Sequence, residues 1–124
     1  MKATAATRDF VPVSLNATAS VTLAQAIRTV DSQNVVAKLT GSAPDVQDEY
    51  VIYAAHWDHL GVGPADASGD TIYNGAMDNA SGTAAMLEMA RAFKSLSVAP
   101  KRTMIFLAVT AEEQGLLGSE YYAR

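Results

Sequence analysis

Two nearly unbroken apolar runs constrain this chain more than anything else in it. They are Tyr50 to Ala55 (YVIYAA) and Thr103 to Val109 (TMIFLAV). Runs of this length without alternation suit strands buried on both faces of a sheet. Between them, Ala84, Leu87, Met89, Ala90 and Phe93 recur at helical spacing within Thr83 to Leu96, and Pro100 closes the segment. Asn79 or Ser81 stands where a helix cap is needed. Strand, helix, strand at this spacing predicts a βαβ unit with parallel strands and a right-handed crossover. The fold class is therefore α/β. In open α/β sheets ligands gather at the carboxyl ends of the strands, so the residues just after Ala55 and Val109 matter most.

Those residues are polar and acidic. HWDH succeeds the first run, DNASG precedes the helix, and a Glu112–Glu113 pair succeeds the second run. His56, Asp58, Asp78, Glu112 and Glu113 thus converge on one rim. Four carboxylates and an imidazole repel or take up protons in a low-dielectric cleft unless a cation joins them. The chain has no cysteine, which excludes disulfide scaffolds, thiolate metal sites and cysteine nucleophiles. Nitrogen and oxygen ligands alone suit zinc, manganese or cobalt, and magnesium less well. Residues two apart in extended backbone share a side, so His56 and Asp58 are expected to face together, with Asp58 orienting the imidazole. Trp57 and His59 are expected to face away. Adjacent Glu112 and Glu113 diverge, leaving one to bind metal and the other to move protons.

Each motif taken alone has an ordinary explanation. HxD pairs occur in many loops, paired glutamates often open a solvated helix, and DNASG is a common capping turn. Their order along one edge of a βαβ unit favours the metal reading. His59 fits either a local hydrogen bond or a ligand, and Trp57 fits a packing or pocket-wall role.

The remaining sequence is less decisive. Residues 1–9 read as a loose N-terminal segment, and residues 10–124 as a single domain, which suits a length of 124. Phe10 to Leu23 (FVPVSLNATASVTL) alternates well enough for one or two strands, with Pro12 suited to an edge. Ala24 to Val30 fits a helical turn or more strand. Asn34 to Leu39 (NVVAKL) predicts a strand ending at Gly41, His56 to Gly75 a long polar loop, and Gln114 onward the start of a helix. Apolar residues make up 49% of the chain, enough for a core. Nine basic against thirteen acidic residues give a net charge of −4, which argues against non-specific nucleic-acid binding. No run is long enough to span a bilayer. MKATAATRDF lacks the apolar stretch of an intact signal peptide.

The runs AAHWDHLG, NGAMDNASGTAAMLEMARAF and RTMIFLAVTAEEQGLLGSEYYA, in that order, resemble the clan MH co-catalytic zinc aminopeptidases. This family includes the bacterial leucyl aminopeptidases and relatives of glutamate carboxypeptidase. QNVVAKLTGS resembles the strand that opens the family's catalytic domain. The resemblance implies a partial three-layer αβα zinc-exopeptidase fold with a mixed sheet, truncated on its C-terminal side. It implies that His56 binds one zinc, Asp78 bridges two, Glu113 binds the other, Asp58 supports His56 and Glu112 is the general base. A cis peptide is implied at Asp78–Asn79. The substrate implied is the N-terminus of a peptide. The family's two later ligands, a carboxylate and a second histidine, have no counterpart in this chain, so the zinc ions, one or two, are incompletely liganded within it. Family members are often exported, but the compartment stays open here. Missing strands leave an exposed sheet edge, which predicts a homo-oligomer. Two other readings stand beside the aminopeptidase: a non-catalytic self-assembling half-domain with a vestigial metal site, and a metal-dependent esterase or amidase.

Overall fold

The computed structural model describes residues 6–124; residues 1–5, part of the segment expected to be loose, lie outside the described residues. The described chain is a small α/β unit. Strand β1 (Val35–Leu39) and strand β2 (Tyr50–His56) are succeeded by a short hairpin of β3 (Gly61–Val62) and β4 (Ile72–Tyr73). A widened helical turn over Ala76–Ala80 leads into helix α1 (Ser81–Lys94), and strand β5 (Thr103–Val109) and helix α2 (Leu117–Ala123) complete the order.

The main sheet runs β1-β5-β2. β2 lies parallel to β5, with Tyr50 opposite Thr103 and His56 opposite Val109, while β1 lies antiparallel to it. The sheet is thus mixed, and β2–α1–β5 is the expected crossover unit. β5 is the central strand and is buried almost throughout. Thr103, at its start, is buried and satisfied: its hydroxyl donates to the Gln47 carbonyl at 2.6 Å and accepts from the Gly41 amide at 2.9 Å.

α1 covers one face. Met86, Met104, Phe106 and Ala108 form the buried core, with Leu39, Val51, Tyr53, Met89 and Phe93 packed against it. Tyr53, Phe93 and Phe106 meet with ring centroids 5.8 to 6.3 Å apart, within the range where aromatic pairs attract. Met86 and not Leu87 is the innermost helical residue, and Leu87 is exposed. Asn79 supplies the cap: its Oδ1 accepts from the Gly82 amide at 2.9 Å. Gly82 is needed there, because a Cβ would stand 2.2 Å from that same oxygen.

Two expectations are corrected. Phe10 to Leu23 forms no strand; the described residues up to Gln33 are exposed and, after a turn near residues 6–9, without regular structure. Alternation supplies a face but no partner edge, and without pairing a strand does not form. β2 is buried on both faces only at its carboxyl end. Tyr50 and Ile52 are exposed, because β2 is an edge strand and the face away from α1 is uncovered there. Among the described residues α1 packs on one face of the mixed sheet. α2 departs from the rim and walls a groove of about 710 Å³ together with Val30, Ser32 and Val36.

Candidate metal centre

The parallel pairing of β2 and β5 sets His56 beside Val109, so HWDH and Thr110–Glu113 emerge side by side. The widened turn then delivers Asp78 to the same rim. Its imidazole partner is close: His56 Nε2 lies 2.8 Å from Asp78 Oδ1 and 3.8 Å from Glu112 Oε2. One ligand atom each from His56, Asp78 and Glu113 lie within 4.8 Å of one another. The Asp78–Asn79 peptide is cis, as the resemblance implies. The structure therefore gathers His56, Asp78, Glu112 and Glu113 at one point.

His56 is buried, which disfavours its charged form. The Asp58 carbonyl, the Asp78 carboxylate and the Glu112 charge together outweigh this, so the imidazole pKa lies above its usual value. The rim is built to hold positive charge.

Asp58 departs from the expected geometry. β2 ends at His56, so the two-residue alternation stops there. The His56 ring meets the backbone carbonyl of Asp58, with Nδ1 at 2.8 Å, and not its carboxylate. The carboxylate instead takes the Thr110 hydroxyl at 2.8 Å and the Ala111 amide at 2.6 Å on Oδ2. Ala111 has φ 53°, a left-handed conformation uncommon in residues other than glycine. That turn redirects the chain off β5. The Gly115 and Leu116 amides then fasten the Glu112 carbonyl at 3.0 and 2.8 Å. Asp58 thus fixes the ring from its main chain and the glutamate pair from its side chain.

The supporting residues were not foreseen. Thr110 is buried and also meets the Ser32 hydroxyl at 2.6 Å. Asn34 accepts from the Thr110 amide at 3.1 Å and donates to the Gly118 carbonyl at 2.7 Å. The available signal was a lone polar residue ending an apolar strand. Trp57 donates from Nε1 to the Gln33 carbonyl at 3.1 Å and lines a hollow of about 290 Å³ beside the site, in keeping with a wall residue.

The donor set fits a divalent ion. It is nitrogen and oxygen only, offered by His56, Asp78 and Glu113 within 4.8 Å of one another.

Comparison with known proteins places this rim in a family. The model of "Peptidase family M28" matches residues 34–124. The chain belongs to peptidase family M28. A probable zinc metalloprotease of Pyrenophora teres f. teres is 42% identical over 95 residues, covering 77% of this chain and 19% of that protein. Aminopeptidase YwaD of Bacillus subtilis is 38% identical over 92 residues, covering 73% and 17%. Carboxypeptidase Q of Bos taurus is 37% identical over 92 residues, covering 74% and 17%. The chain thus spans about a fifth of the length of these relatives.

Proposed function

We propose that this chain carries residues of a zinc-dependent peptidase site of aminopeptidase type, acting on the N-terminus of a peptide. The observation that carries the reading is the convergence of His56, Asp78 and Glu113 within 4.8 Å, at the carboxyl ends of two parallel strands in an M28 chain. His56, Asp78 and Glu113 would hold the metal, one ion or two, with manganese or cobalt as substitutes. When bound, zinc supplies Lewis acidity, which acidifies water and polarises a scissile carbonyl. Glu112 stands within reach as the proton carrier: it takes the proton of the attacking water and delivers it to the leaving amine. The Asp58 carbonyl holds the His56 ring, and the Asp58 carboxylate, through Thr110 and Ala111, holds the strand end from which Glu112 and Glu113 project.

The test is direct. Incubated with zinc, the chain should release p-nitroaniline from aminoacyl p-nitroanilides, and a chelator should stop it. Zinc uptake without turnover on amides or esters favours the non-catalytic half-domain. Turnover on esters alone favours altered specificity.

We also propose that the isolated chain self-associates through its sheet. Among the described residues neither β1 nor β2 has a partner on its outer side, and Tyr50 and Ile52 stand exposed on the sheet face away from α1. Free edges of this kind pair with other chains. Size-exclusion chromatography with light scattering should give a mass above 13.1 kDa; a monomer at working concentration argues against it.

A further inference from the structure

We propose that His59 is a positioning residue for Glu113, a reading that rests on the metal centre above. His59 Nδ1 stands 2.6 Å from Glu113 Oε1, and both side chains are largely buried. The two atoms are not aligned as a hydrogen bond, and neither has another partner. Two buried polar atoms at that separation satisfy each other once the Nδ1–H turns into line, and each is costly to leave unmet. His59 does not join the convergence of His56, Asp78 and Glu113, so it meets the carboxylate from outside that group. A carboxylate pinned through one oxygen presents the other at a fixed angle, the usual service of a group just outside a metal site.

The chain builds a seat for this ring. Gly75 has φ +63°, and a Cβ there would stand 2.7 Å from His59 Cβ and 2.9 Å from both His59 Cγ and the Asp78 carbonyl. The Gly75 carbonyl also accepts the Ala80 amide at 2.9 Å, closing the turn that carries Asp78. One glycine therefore lets the His59 ring and the Asp78 turn close on each other. The imidazole abuts Asp78's turn on one side and orients Glu113 on the other.

The experiment compares His59→Leu and His59→Asn in the full chain. Leucine fills the space without a donor, whereas asparagine places an amide N–H where Nδ1 stands. Zinc affinity is measured by competition with a chromophoric chelator, and the melting temperature is measured metal-free. His59→Leu should weaken zinc binding by about tenfold or more, and His59→Asn should restore most of it. Leucine binding zinc like the parent, or asparagine binding as weakly as leucine with both folded, overturns the proposal. If the parent takes up no zinc, the metal-centre reading fails by itself. The contact is then decided by the ring ¹⁵N shifts of His59 in the metal-free chain. They should move in Glu113→Gln, and unchanged shifts overturn the proposal.

Discussion

Glu112→Gln should reduce zinc-dependent turnover by about a hundredfold to ten-thousandfold, the range expected when a general base is removed. Glutamine keeps the size of the side chain and loses its charge and its capacity to accept and return a proton. Glu112 Oε2 lies 3.8 Å from His56 Nε2, and the side chain retains about a third of its exposure, so it reaches the rim without being enclosed by it. Zinc affinity should fall less than in Glu113→Gln, since Glu112 is not among the three gathered ligands and lies beyond hydrogen-bond distance of His56. Glu113→Gln should do the reverse and weaken zinc binding first. The adjacent pair therefore gives a double readout by chelator competition and p-nitroanilide assay. If Glu112→Gln loses the metal while Glu113→Gln retains it, the two roles are exchanged. If both variants turn over like the parent, the proposed chemistry is wrong.

Gly118→Ala should destabilise the chain by about 2–3 kcal/mol, the upper part of the range for crowding a packed position. Gly118 is buried. An added Cβ would stand 2.2 Å from the Thr110 carbonyl, 2.7 Å from the Thr110 amide nitrogen and 2.6 Å from Asn34 Oδ1. Two of these atoms belong to the backbone of a buried strand end and cannot swing aside. The third belongs to Asn34, which already bonds Thr110 and Gly118 together. The Gly118 amide itself donates to the Thr110 carbonyl at 3.0 Å. The clash therefore opens the clasp joining the approach to β1, the end of β5 and the start of α2. Urea unfolding followed by Trp57 fluorescence measures it, and a loss below about 0.5 kcal/mol, the scatter of ordinary surface substitutions, would show that the clasp yields without strain. Since Thr110 precedes Ala111, Glu112 and Glu113, zinc affinity should fall with stability.

The crossover unit was legible because β2, α1 and β5 carry strong patterns: two apolar runs and one helical period. β1 was legible for the same reason. The acidic rim came from topology, since parallel strands bring their carboxyl ends together whatever the intervening length. Phe10 to Leu23 misled because an alternating pattern records a preference for a pleated surface and says nothing of a neighbour to pair with. The β3–β4 hairpin lay hidden in a loop, since two-residue strands leave no period to detect. Asp58 misled in a more instructive way. Side-chain alternation holds only while the backbone stays extended, and the chain leaves the strand at His56. Nothing local in the sequence reports that the Asp58 carboxylate will be occupied by residues more than fifty positions away, or that Ala111 will take a left-handed turn to meet it. The helical face was right at Met89, Ala90 and Phe93 and missed Met86 for a smaller reason: Met86 and Leu87 are both apolar, and only contact with Met104 and Phe106 selects between them.

The pairing of Tyr50 with Thr103, 53 positions later, also bears on the order of events during folding. Contacts this distant in sequence form late, because the entropy of closing the intervening loop precedes any reward. Until β5 docks beside β2, the histidine and the glutamates are strangers in a disordered coil. An ion cannot nucleate such a chain; it can only trap the finished arrangement. Zinc added during refolding should accordingly slow escape from the native state more than it hastens arrival.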